Sequence, residues 1–566
     1  RALGVSEKFH DVMRNHCYRI LLTLSPPILV GAFVGNRFSQ PSSLSTASAS
    51  SNLPVIGTQS RHFMTSDKNP FSSMIGDVAS SLFGGASKGD QKNANKVDAA
   101  LGKTDTASKT WSEIRDQLES QQTTDEERNF RKNLAKGYGI QGSPMHKIRL
   151  FDESNKEEDI SVTFYRDSAS WCPYCQKVWL TLEAKQIPYK VEKINMRCYG
   201  DKPASFLKLQ PGGQIPVAII DGRVYGQSND ILMALEGHPQ SKLSLSPPAN
   251  LRAEAQQLYG LERQLFSAWM GWLTSGWGKD QFIDTLEYVD SVLQKADGPF
   301  FLGKKFSLVD VQFAPFLERT VASLLYFKGF VIRVPPNERS TAKYPGINAW
   351  FDAMEEMPAY QLTKSDYYTH AWDLPPQLGG CRSEQGSKPY EDAINGLRSL
   401  DGSQGSWELP LQADNGGIEP DWTFIPGGEP AARREAVERI SANHDAIVKF
   451  ACRGAGSKGF PNFGAPLADP NAVPNEALKN TVDHCLRTIC SALLAENVDG
   501  HVAEMESIAK VIASEGGKEY TGGVIASLGY LRDRVGVPRD MRLPAARQLR
   551  AHLNWSIGMI LDASGN

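Results

Sequence analysis

The chain has 566 residues, too many for one compact core, so three or four folded units are expected. Its 61 Lys and Arg residues against 64 Asp and Glu residues give a net charge of −3, so no global field favours nucleic acid or a membrane surface as a partner. Eight cysteines in a chain of this length do not resemble a secreted disulfide framework, and no apolar run reaches the roughly 18 residues that a transmembrane helix needs.

Residues 1–66 have the composition of a targeting presequence. No acidic residue occurs between Asp11 and Asp67, and a short apolar run over 18–33 precedes a Ser-rich segment. This order is typical of a signal peptide joined to a transit peptide. The Ala-Phe33 step resembles presequences that address secondary plastids, so a plastid is the expected location. An Arg-His-Phe-Met sequence near the end of the stretch leaves a mitochondrial leader as the alternative.

Residues 67–140 are expected to form a linker that contains one charged helix. The stretch up to residue 108 is rich in Gly, Ser, Ala, Lys and Asp and has few large apolar side chains. Residues 109–137 have helical spacing, and their apolar face could dock on the next domain. That face consists of three residues at positions i, i+3 and i+7: Trp111, Ile114 and Leu118.

Residues 141–240 predict a small mixed α/β domain with the element order βαβ, then ββα. Alternating apolar residues indicate a strand near 160–164, and 188–194 has the composition of a second strand. The stretch between them carries a single apolar stripe at helical spacing. A hairpin with an Asp-Gly turn and a helix capped by Ser228 or Asn229 complete the domain.

The rest of the chain is predicted to be helical, in two units separated by a linker. Residues 241–378 carry helical apolar spacing, and Ser307 lies three residues before Asp310, which is typical of a capped helix start. Residues 379–428 are rich in Gly, Ser and Pro and predict the linker. Residues 429–566 alternate helical patterns with turns and predict a helical domain whose role the sequence does not indicate.

Three groups of side chains in the helical units receive a structural interpretation. Tryptophans could line an acceptor pocket, but aromatic residues at this spacing are more often core. Two cysteines are interpreted as buried hydrophobic residues rather than a redox pair. A basic cluster is interpreted as a solvated helix face rather than an anion site. The groups are Trp269, Trp272 and Trp277; Cys485 and Cys490; and Arg532, Arg534, Arg539, Arg542, Arg547 and Arg550.

The sharpest chemical signal is Trp171-Cys-Pro-Tyr-Cys175, which lies between a predicted strand and a predicted helix start. A thiolate is the nucleophile of disulfide exchange, and the free N–H groups at a helix N-terminus stabilise it. Cys175 shares the apolar stripe and should face inward, whereas Cys172 precedes the helix and should be exposed as the attacking thiolate. A structural zinc site is the alternative for a Cys-x-x-Cys pair, but it needs four ligands and no second pair exists, so no metal is expected.

The motif resembles glutaredoxins and the glutathione-transferase superfamily, because Ile215-Pro216 follows it some forty residues later. Residues 306–310 and 344–350 resemble the C-terminal transferase domain. The likeness is greatest to two-cysteine members of the omega-like branch, and to glutaredoxins with a transferase-type helical domain, over roughly 160–375. The tail resembles the extension of plant and algal organellar members. The resemblance implies a thioredoxin-like α/β domain, an all-α transferase-type domain and a further, mainly helical domain.

The resemblance also implies a glutathione site. Pro216 would be a cis proline, and the backbone of Ile215 would pair with the cysteinyl part of glutathione. Gln227 and Ser228 stand where the family holds the γ-glutamyl group, and a helix start favours a bound carboxylate. Lys202, in competition with an arginine five residues earlier, matches a lysine that faces the glycine carboxylate. Each residue also has a structural interpretation, as a turn proline, a helix cap or a solvated charge. The expected glutathione-binding residues are Tyr174, Lys202, Ile215, Pro216, Gln227 and Ser228.

The leading hypothesis is an enzyme, a glutathione-dependent thiol transferase or disulfide oxidoreductase. The Cys172 thiolate would take up a glutathionyl group, and a second glutathione or Cys175 would release it. A cysteine nucleophile favours reduction of disulfides, dehydroascorbate or glutathionyl conjugates over conjugation of electrophiles, which is the nearer alternative. A non-catalytic adaptor that works through 380–566 is the alternative of a different class. The expected partners are glutathione as co-substrate and a disulfide or electrophilic small molecule, with a homodimer as a further option.

Overall fold

The computed structural model describes residues 88–103, 108–122, 124–136, 138–139, 146–152, 155–397, 400, 405–411, 418–419, 428–460, 471–495 and 498–565. The predicted presequence, 1–66, lies outside the described residues. Across the ranges that are described, no helix has both the length and the apolar character needed to cross a membrane. The described residues pack around three large hydrophobic cores, one in an α/β unit and two among helices.

Helices make up most of the described chain. In chain order they are α1 Lys88–Leu101, α2 Trp111–Gln121, α3 Asp125–Lys136, α4 Pro173–Lys185, α5 Ala204–Leu209, α6 Ser228–Glu236, α7 Arg252–Met270, α8 Lys279–Lys295, α9 Leu308–Lys328, α10 Pro345–Glu355, α11 Pro358–Thr363, α12 Tyr367–Leu378, α13 Lys388–Ile394, α14 Gly428–Ser441, α15 His444–Ala451, α16 Lys479–Leu494, α17 Asp499–Arg534 and α18 Leu543–Ala563. The strands are β1 Tyr138–Gly139, β2 Ile148–Arg149, β3 Val162–Asp167, β4 Tyr189–Ile194, β5 Val217–Ile220 and β6 Arg223–Tyr225.

The six strands form one mixed sheet with the order β1-β2-β4-β3-β5-β6. Strands β3 and β4 are parallel, whereas β5 is antiparallel to both β3 and β6. The parallel pair is joined through α4, and the β5–β6 hairpin is followed by α6. This is the predicted βαβ, then ββα order, so the thioredoxin-like α/β fold is confirmed.

Local sequence accounts for these elements. Val162 and Phe164 alternate along β3 and are buried, and Val178 and Leu182 on the stripe of α4 are buried against the sheet. One detail of the prediction was wrong. Helix α6 begins at Ser228 and has the preceding glutamine, in extended backbone, at its N-cap, without a side-chain hydrogen bond. Neither Ser228 nor Asn229 is therefore the cap.

Helices α7 to α12 form the first helical unit, and the predicted capping box is present at the start of α9. Ser307 Oγ accepts a hydrogen bond from the N–H of Val309, and Asp310 accepts one from the N–H of Ser307 at 2.9 Å. Trp350 Nε1 also donates to Asp310, at 3.0 Å, which ties α10 to α9. Two of the three tryptophans singled out in the sequence are core residues, whereas Trp277 is 79% exposed.

The third core belongs to the C-terminal extension, and it includes helices from the predicted linker regions. Ala94, Val97 and Leu101 of α1 are buried there, because three apolar residues at helical spacing suffice to anchor an otherwise polar helix. Ile114 and Leu118 of α2 are buried in the same core, so this helix docks on the extension rather than on the next domain in sequence.

In the second half of the chain, one expectation, for two cysteines, is confirmed, and another, for the basic cluster, is not. Cys485 and Cys490 are buried hydrophobic residues of α16, as interpreted. The interpretation of the basic cluster as a solvated face was wrong: Arg550 is 1% exposed and donates to Asp366 at 2.7 Å, and Arg532 is also buried. Arg550 thus satisfies a buried acceptor in the first helical unit, whereas Arg532 donates to Asn554 within the extension at 2.7 Å. Helix α13, inside the predicted linker 379–428, adds two buried residues to the core of the first helical unit.

Candidate functional site

One edge of the sheet gathers the loops that carry the predicted site. Asp167 at the end of β3 pairs with Ile194 at the end of β4, so the loops after both strands open at the same edge. Tyr165 pairs with Val217, so the antiparallel strand β5 begins at this edge. Tyr225, at the end of β6, lies beside the start of β5, which brings the beginning of α6 to the same place.

All eight predicted site residues lie in these four loops or at the helix starts that follow them. Cys172, Tyr174 and Cys175 follow β3, Lys202 follows β4, Ile215 and Pro216 precede β5, and Gln227 and Ser228 follow β6. Pro216 is buried and the peptide bond that precedes it is cis, as expected. The other five glutathione-binding candidates are half-buried. Their burial leaves part of each side chain accessible along one edge.

Lys202 lies directly beside the turn that precedes Pro216. A Cβ built on Gly213 would be 3.3 Å from Cδ of Lys202, and Lys202 Nζ donates to the backbone oxygen of Asn195 at 2.6 Å. Burial lowers the pKa of Lys202, while the sulfur atoms of Cys175 and Cys172 act in the opposite direction. The ammonium group is therefore within electrostatic reach of both thiols.

Cys172 is the N-cap residue of α4, and a proline occupies the first helical position. The loop before it is fixed by Asp167, whose Oδ2 accepts hydrogen bonds from the backbone N–H groups of Trp171 at 2.5 Å and Cys172 at 3.2 Å. A carboxylate that accepts two successive amide hydrogens holds the turn into the helix in one conformation. The sulfur of Cys172 is thus carried at a helix N-terminus by a tightly bonded loop.

The expectation that Cys172 is exposed was wrong. Its residue is only 7% exposed, because Trp171 and Cys172 both belong to the core of the α/β unit and residues of the extension lie against Trp171. Cys175 is 2% exposed and faces inward, as expected. Burial raises the pKa of the Cys175 thiol well above its usual value, and a hydrogen bond with Cys172 adds to this effect. Cys175 therefore remains a protonated donor at neutral pH.

A second lysine, Lys177, lies in the first turns of α4. Its Nζ is 3.6 Å from Glu262 and 4.5 Å from the ring centroid of Phe316, and it also contacts the ring of Tyr174. Burial lowers its pKa, against the attraction of Glu262 and, more weakly, of Cys172. Lys177 of α4 and Lys202 of the loop after β4 thus add positive potential around the Cys172 sulfur.

Helix α9 of the first helical unit forms hydrogen bonds with the loop of Cys172. Arg319 donates to the backbone oxygen of Trp171 at 2.6 Å and to Oε1 of Gln176 at 2.7 Å. Glu318 accepts from Nε2 of Gln176 at 2.9 Å and from Nε2 of His370 at 2.7 Å. Two adjacent buried charges therefore hold the residue before Cys172 and the first turn after it.

Only weak signals in the sequence point to these supporting residues. Asp167 ends a strand before a Ser-Ala-Ser turn, and an Asp at such a position commonly bonds nearby backbone N–H groups. Glu318 and Arg319 sit inside an apolar helix, where only their charge marks them as unusual. Neither pattern predicts which residue the charge will contact, such as Trp171, which lies about 150 positions before Arg319.

Asp167, Cys172 and Cys175 place one ligand atom each within 4.8 Å of one another. Thiolate and carboxylate ligands suit zinc, but a structural zinc site takes four ligands. Within the described ranges, this cluster provides three. It is one ligand short of a closed site, and the same atoms already take part in the hydrogen bonds that shape the loop.

Comparisons with known proteins match the region of the chain that carries these loops. The family described as glutathione S-transferase, N-terminal domain, matches residues 171–238, and the corresponding C-terminal domain family matches 254–353. The relative named glutathione S-transferase DHAR2, from Arabidopsis thaliana, is 32% identical over 178 residues, which are 31% of this chain and 77% of the relative. A second relative from that plant, glutathione S-transferase DHAR3, chloroplastic, is 32% identical over 28% of this chain and 59% of its own length.

Two solved structures are also similar to part of this chain. A dehydroascorbate reductase from Chlamydomonas reinhardtii is 26% identical, with 37% of this chain and 94% of that chain covered and a TM-score of 0.29. Glutathione transferase Omega 3C from Trametes versicolor is 25% identical, with 37% and 87% covered and a TM-score of 0.31. The family uses glutathione as a substrate, and relatives of this kind are consistent with thiol transferase or reductase activity. On the identity and coverage of its relatives, this chain belongs to the glutathione S-transferase family.

Proposed function

We propose that the protein is a glutathione-dependent thiol transferase whose nucleophile is the thiolate of Cys172. The observation that supports this most is the convergence of the Cys172 loop with three other loops on one sheet edge. A helix N-terminus and two lysines surround the sulfur with positive potential. The tripeptide would lie along the half-buried rim formed by Lys202, Ile215, Gln227 and Ser228.

The proposed reaction proceeds by thiol–disulfide exchange. The Cys172 thiolate attacks the glutathionyl sulfur of a mixed disulfide, a Cys172–glutathione disulfide forms, and the acceptor leaves as a thiolate that takes up a proton. A second glutathione thiolate then attacks the glutathionyl sulfur, which releases oxidised glutathione and returns the Cys172 thiolate. In total, one free glutathione is oxidised for each mixed disulfide that is reduced, and the oxidised glutathione released contains this molecule and the transferred glutathionyl group. Dehydroascorbate and glutathionyl conjugates are the other acceptor classes that a cysteine nucleophile suits.

Glutathione, rather than Cys175, is the proposed resolving thiol. Attack by Cys175 on the Cys172 sulfur would give an internal disulfide, but it requires the Cys175 thiolate. The raised pKa of that buried thiol keeps the thiolate scarce at neutral pH. The proposed role of Cys175 is to donate a hydrogen bond that stabilises the anionic sulfur of Cys172.

Mass spectrometry of the full chain with oxidised glutathione tests the nucleophile. We expect one glutathionyl group on Cys172, retained in Cys175→Ser and absent in Cys172→Ser. Cys198→Ser is a matched control, because this half-buried thiol packs against the same core and has no proposed role. Glutathione-dependent disulfide reduction should be lost in Cys172→Ser alone. Turnover that survives this substitution, or a glutathionyl group found on Cys198, would refute the proposal.

A second candidate function, a transferase-fold adaptor, is favoured by one observation: the residue that should react is only 7% exposed. An adaptor would not need an accessible thiol or a bound tripeptide. Isothermal titration of the full chain with glutathione separates the two functions. Binding that is weakened in Ser228→Ala or Lys202→Met supports the enzyme, whereas no detectable binding supports the adaptor. Turnover with an electrophile that persists without Cys172 would instead support conjugation.

A plastid is the proposed location. Two of the relatives are named chloroplastic, which is compatible with it, and the presequence composition favours it. A fluorescent protein fused behind residues 1–87 should accumulate in plastids of an algal host. Accumulation in mitochondria would select the alternative location.

A further inference from the structure

The C-terminal extension reaches the loop of the proposed nucleophile through one short segment. We call residues 535–541, between α17 and α18, the strap. Gly536 lies against Trp171, since a Cβ at this glycine would be 3.0 Å from Cζ2 of the indole ring. The guanidinium group of Arg539 stands over the same ring, 5.1 Å from its centroid. Two strap residues thus contact the side chain that immediately precedes Cys172.

The strap is held in place from two units of the molecule. From α12 and the residues before it, Ser365 Oγ donates to the backbone oxygen of Val537, and Thr369 Oγ1 accepts from its N–H at 3.2 Å. From the extension, Arg550 donates to the backbone oxygen of Val535 at 2.7 Å. Hydrogen bonds to its backbone from both units therefore hold the strap, and with it the backbone of Arg539, in one position.

Arg539 itself is oriented within the strap. Its guanidinium group forms two hydrogen bonds with Asp540, from Nη2 at 2.7 Å and from Nε at 2.9 Å. Asp540 also accepts from the N–H of Gly536 at 2.8 Å, which closes the strap on itself. The planar cation is therefore fixed against the indole face rather than free to sample solvent.

The ring of Trp171 depends on such contacts. In the part of the chain that the structure describes, its buried Nε1 has no hydrogen-bond acceptor. The ring packs edge-on against Tyr199, at a centroid distance of 5.4 Å, and under Arg539. The backbone of Trp171 is bonded separately, through its N–H to Asp167 and through its oxygen to Arg319. Because packing alone locates the ring, the ring moves when a neighbour is removed, and the turn is then held by these two backbone hydrogen bonds without the support of the ring.

We propose that Arg539 is a positioning residue for the nucleophile and acts through Trp171. The inference rests on the proposed function, because it gives Arg539 the task of holding the residue next to the Cys172 sulfur. It also assigns a role to the extension. Its strap, more than 350 residues further along the chain, covers the side chain of Trp171 next to the nucleophile. The cation over the indole face fixes the ring, and the ring fixes the turn in which Cys172 lies.

Full-length Arg539→Gln tests the proposal by two measurements. The first is hydrogen exchange over residues 167–176, whose amide hydrogens bond to Asp167 and within the helix start. We expect exchange there to be about tenfold faster, since local opening no longer has to displace the cation from the ring. The second is steady-state kinetics, in which kcat should fall about tenfold while KM for glutathione stays within about twofold, because the binding residues lie on other loops.

Two matched variants make the result specific. Arg539→Lys keeps a cation over the ring and should restore both measurements to within about threefold of the unaltered protein. Arg453→Gln is the control, because this arginine of the extension stands 5.3 Å from the ring of Phe450 instead. Unchanged exchange over 167–176 in Arg539→Gln, or a rise spread evenly over the chain, overturns the proposal. If the unaltered protein has no glutathione-dependent turnover, the proposed function fails, and the exchange comparison still decides the role of Arg539.

Discussion

Replacing Arg319 by methionine removes the main tie between the helical unit and the loop of Cys172. Arg319 donates to three buried oxygens, on Trp171, Gln176 and Pro315, at 2.6–2.7 Å. Methionine has a similar length but no donor, so these acceptors lose a charged partner and Glu318 remains as a buried carboxylate. Truncating one partner of a buried charged pair costs about 3–5 kcal/mol of unfolding free energy. A domain is stable by about 5–15 kcal/mol, so the variant should fold with reduced stability.

Urea unfolding followed by circular dichroism measures this loss, and glutathione-dependent disulfide reduction measures its effect on the loop. Glu318→Gln combined with Arg319→Met is the matched control. It leaves no buried carboxylate, so it should be more stable than Arg319→Met alone by about 1–2 kcal/mol. Burial alone would raise the pKa of Glu318, but His370 and Arg319 bring it below its usual value, so the carboxylate is ionised beside Arg319 in the unaltered protein. A loss below about 1 kcal/mol in Arg319→Met, or a double variant as unstable as the sum of both single variants, would refute this reasoning.

Three further predictions concern other parts of the molecule. Cys175→Ser should keep reductase turnover within about threefold, because the buried thiol stays protonated and glutathione resolves Cys172; a loss of more than tenfold would show that Cys175 resolves it. Gly536→Ala should lower the urea-unfolding free energy by about 1–3 kcal/mol, since its Cβ would crowd Trp171; unchanged stability would contradict the close contact. Burial lowers the pKa of His552 from 6.5 to about 4. Below pH 6.5 the unfolded chain binds a proton at this histidine and the folded protein does not. The free energy of unfolding is therefore at its full value above pH 6.5 and falls by about 1.4 kcal/mol per pH unit toward pH 4, about 3 kcal/mol in total. His552→Gln should remove that slope, and an unchanged slope would contradict it.

The sequence sufficed for features that depend on neighbouring residues and on strand direction. Period-2 alternation located β3, the Asp-Gly turn located the β5–β6 hairpin, and the helical stripe separated Cys175 from Cys172. Because consecutive strands of this fold meet at a fixed edge, loops that carry Lys202, Pro216 and Ser228 were brought together as the resemblance implied.

The sequence could not predict which residues contact each other when they lie far apart in the chain. Helical periodicity shows which face of a helix is apolar but not what covers it, so α1 and α2 were assigned to a linker and to a neighbouring domain rather than to the extension. Because the sequence does not show what covers a residue, Cys172 was expected to be exposed. Its position before a helix is a local fact, whereas its burial follows from Trp171 and from residues in the strap. Arg550 was expected to be solvated for the same reason, because its acceptor, Asp366, lies in the first helical unit.

The arrangement at Asp366 argues that the transferase region of this chain is not self-contained. The match to the C-terminal transferase domain ends at residue 353, before α12 begins. Here Asp366, the N-cap of α12, is buried and receives a hydrogen bond from Arg550 of α18 at 2.7 Å. The guanidinium group of Arg550 also contacts the rings of Tyr368 and Trp407, at 4.7 and 4.9 Å from their centroids. Cutting the chain after α12 would expose both the cap of that helix and the ring of Trp171, so the folding of the extension and the geometry of the proposed nucleophile are physically linked.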